Sequence, residues 1–207
     1  VSEILEKLSH HLYDAIFKED QSIHSDEILK YLNEAKKIIV EKHNGLFLHL
    51  LEDFEDRVKI FGTHFATLDI RQDSRVHQEI IDDILTKKSG LEIEKISEEE
   101  KLNWLLNTNL VLDPNDFEGI TKDTLENINN IKNIQRRNGE RGMSRYIISN
   151  SDHIKEVLNV FALFKLCGYQ EEEINIDIVP LFETMEGLDA GENVMKELYN
   201  FPIYRRH

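Results

Sequence analysis

The sequence predicts an α/β fold, predominantly helical, in which a βα-repeat of parallel strands follows an N-terminal helical annex. Three observations carry this reading. Residues 1–61 place apolar side chains at three- and four-residue spacing, the pattern of amphipathic helices. Three short β-branched or aromatic runs, near 65–70, 144–149 and 176–182, each lead into a helical pattern. Long helical stretches separate those runs, as parallel pairing through crossovers requires. The chain therefore divides into a helical segment, 1–61, and a βα-repeat segment, 62–207.

Composition limits the function classes. At 207 residues the chain is long enough to bury a core, and 40% hydrophobic with 31% charged residues is a globular balance. A net charge of −15 makes the surface repel nucleic acid and anionic membrane, so neither is an expected partner. The single cysteine, Cys167, has no internal disulfide partner and sits in an apolar helical stretch, which reads as a buried structural thiol in a reducing cytoplasm. No run approaches the ~20 apolar residues of a membrane span, and the first residues show no signal-peptide pattern. The sequence starts at Val1 and stops at Tyr204-Arg205-Arg206-His207, just after an apolar turn; both ends read as cut, so a piece of a longer protein is expected.

In the helical segment, Ile4, Leu5, Leu8, Leu12, Ala15 and Ile16 predict a helix over 2–17. His10 and His11 lie about 100° apart on it, too far round to share one metal, and read as solvated or packing residues. A polar loop over 18–25 precedes a second helix, opened by Ser25-Asp26-Glu27 and stopped by Asn44-Gly45. A third, over 46–61, is expected to turn Leu50, Leu51, Phe54, Val58 and Phe61 inward.

The apolar run Phe65-Ala66-Thr67-Leu68 then predicts the first strand, closed by Asp69-Ile70-Arg71, before a helix start at Asp73-Ser74. Side chains at the carboxyl ends of such strands face the ligand-binding mouth. Arg71 there has two readings: a guanidinium whose planar fork matches phosphate or carboxylate, or a partner of one of the many local acids. The helix from Ser74 ends near Ser89-Gly90, Ser97 to Glu100 forms a capping-box pattern, and Leu125, Ile128, Ile131 and Ile134 stripe another helix over 121–137. Asn138-Gly139-Glu140-Arg141-Gly142 lacks the spacing of a phosphate-binding loop and reads as a flexible connector. Arg136, Arg137, Arg141 and Arg145 around it read either as steering charges or as a solvated basic loop. The second strand ends at Ser149, with Asn150-Ser151-Asp152 expected to cap a helix that is apolar nearly all round. The third strand leads to Glu183, which reads as a hard-cation ligand or as an acid favoured by the dipole of the helix after it. Right-handed crossovers would put Arg71, Ser149 and Glu183 on one rim.

Taken together, Leu68-Asp69-Ile70-Arg71-Gln72-Asp73-Ser74 with His77, Tyr146-Ile147-Ile148-Ser149, Val179-Pro180-Leu181-Phe182-Glu183-Thr184 and Tyr204-Arg205 resemble the phosphoenolpyruvate carboxylases, in order and in spacing. The resemblance implies that the βα-repeat is a partial (β/α) barrel, part of a larger barrel domain. It implies Arg71 as a substrate phosphate-binding residue and Glu183 as a ligand of catalytic Mg²⁺ or Mn²⁺. The implied substrates are phosphoenolpyruvate and bicarbonate: bicarbonate attacks the phosphate, giving carboxyphosphate and the enolate of pyruvate, and the enolate takes up CO₂ to form oxaloacetate, replenishing the tricarboxylic acid cycle. A cytoplasmic, homo-oligomeric parent is implied as well.

Two departures stand out. Val76 occupies the place where the family often has an arginine, so Arg75 inherits no role, and Ser149-Asn150-Ser151 replaces the usual Ser-Met-Ala. The family's catalytic histidine would precede this stretch, while its second metal carboxylate, glycine-rich loop and remaining phosphate-binding arginines would follow it. No complete catalytic set is thus expected here, and the piece alone is expected to be inactive. Another enolate-forming barrel enzyme, or an acidic helical interaction module whose strands serve structure only, remain the alternatives.

Overall fold

A computed structural model describes residues 1–18 and 21–207; the loop expected over 18–25 lies, at positions 19 and 20, outside the described residues. The chain divides into two compact units, Val1–Leu68 with Lys132–Met143, and Asp69–Ile131 with Ser144–His207.

The first unit is built on α1 (Ser2–Phe17), α2 (Ser25–His43) and α3 (Leu48–Phe61). Its core is Leu8, Ile28, Leu32, Ala35, Ile39, Leu51 and Val58 from the three helices, together with Ile23 from the segment before α2. Asn44 ends α2 in the left-handed conformation, φ 51°, as its position before Gly45 predicts. The inward stripe of α3 differs from expectation. Leu51, Glu55 and Val58 face the core, whereas Leu50, Phe54 and Phe61 are exposed. The stripe is rotated because Glu55 is held inside by two lysines, Lys36 on α2 at 3.3 Å and Lys59 one turn on, and these pairs hold its carboxyl below the ordinary glutamate range.

The 138–142 turn is not a loose connector. Glu140–Gly142 forms a buried-ended 3₁₀ turn, and a Cβ on Gly142 would come within 2.8 Å of His64 Cβ, so only glycine permits that approach. The Thr63 hydroxyl donates to Asn138 O and the Leu68 N–H to Gly142 O, both at 3.0 Å.

The second unit contains β1 (Asp69–Asp73), α4 (Ser74–Lys88), α5 (Glu98–Asn107), β2 (Arg145–Ser149), α7 (Ile154–Leu166), β3 (Asp177–Pro180), α8 (Met185–Asn200) and α9 (Pro202–Arg206); α6 (Gly119–Asn138) runs across the division. The unit is mostly helical, with its three strands in the order β1-β2-β3, every pair parallel, forming an open sheet among the described residues.

The first strand is displaced from its expected place. Phe65 has φ 63° and, like Leu68, is exposed, so the run over 65–68 is not strand. Pairing starts with Asp69 opposite Arg145, and earlier residues face the 140–142 turn, which offers no ladder to join. The α7 cap also shifts. His153, not the Asn150–Asp152 group, precedes the helix, and its N–H donates to Glu156 Oε2 at 2.6 Å.

Register divides the sheet into two faces. Tyr146, Ile148 and Ile178 are buried on the face covered by α4 and α7. The alternate positions Arg71, Ile147 and Val179 lie in one row on the other face, and none of these is buried. Cys167 caps α7 and is half-buried rather than fully buried as expected, and desolvation pushes its thiol up to about 12.

Candidate functional site

Arg71 is the third of the five residues of β1 and lies in its middle, not at its carboxyl end. The strand extends two residues further because Asp73 both pairs with Ser149 and caps α4, its carboxylate accepting from the Arg75 N–H at 2.9 Å. Glu183 lies three residues beyond the end of β3, next to Thr184, whose hydroxyl caps α8 by accepting from the Gly187 N–H at 2.8 Å. The two predicted site residues are brought together: Arg71 Nη2 donates to Glu183 Oε2 at 3.0 Å. Both side chains remain solvent-accessible, 57% for Arg71 and 37% for Glu183.

The second oxygen of Glu183 has its own partner. The Asn150 backbone N–H donates to Oε1 at 3.3 Å, from a residue with φ 52° immediately after β2. The same asparagine donates through Nδ2 to Asp73 Oδ2 at 2.7 Å, and its carbonyl accepts from the Ser74 hydroxyl at 2.6 Å. Asp73 is also gripped by Arg75, through Nε at 2.9 Å and Nη2 at 2.7 Å, and this guanidinium foremost holds its carboxyl far below the usual carboxylate range. Arg75, given no role from the sequence, is thus tied to Asp73. Ser149 lies beside this group, its hydroxyl 3.5 Å from Gln72 O. Arg145 pairs with Asp69, its register partner, at 3.3 Å, which accounts for one of the four clustered arginines.

Beneath the strands lies a polar pair whose two members the sequence reading named only within the family motifs, without a role. His77 is fully buried and its Nε2 is hydrogen-bonded to the Tyr146 hydroxyl at 2.9 Å, while Nδ1 has no partner. Burial lowers His77 to about 4 and raises Tyr146, so both are neutral at pH 7. The signal was present: His77 shares the stripe of Ile80, Ile81 and Ile84, a spacing that turns its ring inward.

Among the described residues no group of three or more His, Cys, Asp or Glu is arranged to hold a metal ion. Glu183 offers hard carboxylate oxygen of the kind Mg²⁺ or Mn²⁺ takes, one ligand of such a shell, with Oε2 accepting from the solvent-exposed Arg71 guanidinium. No helix among the described residues is long and apolar enough to cross a membrane.

The sequence profile of the family described as "Phosphoenolpyruvate carboxylase" matches residues 2–207. Curated relatives of that name include those of Nitrosomonas europaea, 32% identical over 75% of this chain and 18% of the relative, and Synechocystis, 32% identical over 87% of this chain and 18% of the relative. A third, from Gloeobacter violaceus, is 29% identical over 86% of this chain and 21% of the relative. The chain thus spans about a fifth of the length of the curated relatives it matches.

Proposed function

This chain belongs to the phosphoenolpyruvate carboxylase family, and we propose that it carries one part of the carboxylation site, with Arg71 binding the substrate phosphate and Glu183 ligating the divalent cation. The observation that supports this reading is the 3.0 Å approach of the Arg71 guanidinium to the Glu183 carboxylate on the face of the sheet that the helices leave open. A guanidinium presents a rigid pair of donors to a phosphoryl group and stabilises charge as that group moves. Its accessible position lets it exchange the carboxylate for an incoming phosphate. Glu183, held from the other side by the Asn150 N–H, keeps its charge facing the same space. Mg²⁺ or Mn²⁺ would supply positive charge beside the oxygen of the developing enolate.

The whole protein then converts phosphoenolpyruvate and bicarbonate into oxaloacetate and phosphate, as a cytoplasmic homo-oligomer that replenishes the tricarboxylic acid cycle. The open sheet is read as three strands of a (β/α) barrel, with the row of Arg71, Ile147 and Val179 on its inner side, within a barrel segment 62–207 that follows the helices of 1–61. One arginine and one carboxylate do not hold, deprotonate and protect all the reacting groups, so the 207 residues by themselves do not turn over.

Two readouts test this on the purified chain. Phosphoenolpyruvate, followed by ¹H–¹⁵N spectra, is expected to shift the Arg71 Nε resonance and its strand neighbours, with the shifts lost in Arg71→Ala. Oxaloacetate should not accumulate with phosphoenolpyruvate, bicarbonate and Mg²⁺. Shifts that survive Arg71→Ala would remove the phosphate role, and turnover above the protein-free rate would remove the claim of an incomplete site.

A further inference from the structure

Asn150 occupies a backbone conformation that L-residues other than asparagine, aspartate and glycine rarely adopt, φ 52°, directly between β2 and the loop to α7. Three bonds converge on it from the carboxyl ends of the other two strands: Nδ2 to Asp73 Oδ2 at 2.7 Å, its carbonyl from Ser74 Oγ at 2.6 Å, and its N–H to Glu183 Oε1 at 3.3 Å. We propose that Asn150 is a positioning residue whose left-handed backbone, clamped by Asp73 and Ser74, aims its N–H at Glu183 and so fixes that carboxylate opposite Arg71. This rests on the reading of Arg71 and Glu183 as a site.

The geometry favours this over simple turn formation. An asparagine needed only to make the turn would leave its side-chain amide in solvent, whereas here the amide reaches the carboxylate that already caps α4 and holds Arg75. A continuous line results, Arg75 to Asp73 to Asn150 to Glu183 to Arg71, running across the ends of all three strands. The strand ends are thus held together through one residue, and the orientation of the Glu183 carboxylate follows from where Asp73 holds Asn150. The charged groups along this line are Arg71 on β1, Asp73 at its end, Arg75 at the start of α4 and Glu183 beyond β3.

The test is a ¹H–¹⁵N pH titration of the chain, reading the amide proton of residue 150. An N–H bonded to a carboxylate moves when that carboxylate is protonated, and the movement belongs to Glu183 if Glu183→Gln abolishes it while Asp73 is unchanged. The native chain is expected to show this titration. Asn150→Gly, which adopts positive φ without strain but lacks the Nδ2 bond to Asp73, is expected to keep the turn and show a weakened response. Asn150→Val, whose branched Cβ opposes that conformation, is expected to lose it, while the Tyr146 and Ile148 amides of β2 keep their native positions. A purely structural turn residue would give the same response in Asn150→Gly as in the native chain, because the backbone turn alone would then set the N–H, and that undiminished response overturns the clamp. Absence of the titration in the native chain, its survival in Glu183→Gln, or its persistence in Asn150→Val overturns the proposal. Mn²⁺ added to the native chain separates the two layers of argument: if it broadens nothing near Glu183 while the titration is present, the cation reading fails and the positioning stands.

Discussion

Arg71 and Glu183 are 112 residues apart in sequence, and their side chains meet at 3.0 Å with both remaining open to solvent. An exposed ion pair of this kind contributes little to folding, because water and salt screen it and two long side chains must be ordered to make it. Arg71→Ala is therefore expected to change unfolding free energy by less than about 1 kcal/mol in denaturant titration. A loss of more than about 2 kcal/mol would mark the pair as structural.

His77 gives the fold a pH dependence of defined sign. Its folded value is depressed from 6.5 to about 4, so the unfolded state binds the proton more readily. Its contribution is complete above pH 6.5 and is lost as pH falls through the window from 6.5 towards 4. A depression of that size corresponds to about 3 kcal/mol. His77→Gln should flatten the stability profile across that window, although the variant is less stable at pH 7. Asp73, whose value is also depressed, acts in a separate window, losing its contribution only below its ordinary value of 3.8. An unchanged profile in His77→Gln would place the acid sensitivity elsewhere.

Tyr146→Phe removes the hydroxyl that engages His77 Nε2, leaving both ring nitrogens of a fully buried imidazole without partners. A cost of about 1–3 kcal/mol at pH 7 is expected from thermal or denaturant unfolding. A neutral effect would mean that the ring is satisfied in another way.

Gly187 and Gly191 set how closely α8 approaches its neighbours. A Cβ at 187 would lie 2.5 Å from Asp152 Oδ1 and 3.0 Å from Thr184 Oγ1, the group that caps the helix; at 191 it would lie 3.1 Å from the Phe182 ring. Alanine is the better helix former by about 1 kcal/mol, yet at 187 the collision with a buried carboxylate oxygen outweighs this. Gly187→Ala should destabilise by about 1–3 kcal/mol, and Gly191→Ala by less, because a ring can shift more readily. A rise in melting temperature for Gly187→Ala would contradict this packing.

The periodic elements were legible in the sequence because their signals are local. Ser2–Phe17, Ser25–His43 and Ser74–Lys88 match the helices that apolar spacing predicts, although α2 is preceded by His24 without a side-chain cap from Ser25, and the Ser97–Glu100 capping box is formed with both of its bonds. What failed depended on partners distant in sequence. The run Phe65–Leu68 has strand composition but no ladder beside it, whereas the polar Asp69–Asp73 has one in β2. The inward turn of Glu55 depended on Lys36, nineteen positions away. At the site, the residue types pointed to Arg71 and Glu183, but Asn150 looked like an ordinary cap, since neither its positive φ nor its bond to Asp73 leaves a local pattern.

The central claim is that Glu183, set against Arg71, is a specific divalent-cation ligand, and Mn²⁺-induced line broadening in the ¹H–¹⁵N spectrum tests it most directly. With a net charge of −15, the chain offers Mn²⁺ many weak carboxylate contacts, so localisation is the deciding quantity. Broadening at substoichiometric Mn²⁺ is predicted to centre on residues 149–150 and 182–184, to disappear in Glu183→Gln and to persist in Arg71→Ala. Broadening spread over the acidic helices and unaltered in Glu183→Gln would contradict the account.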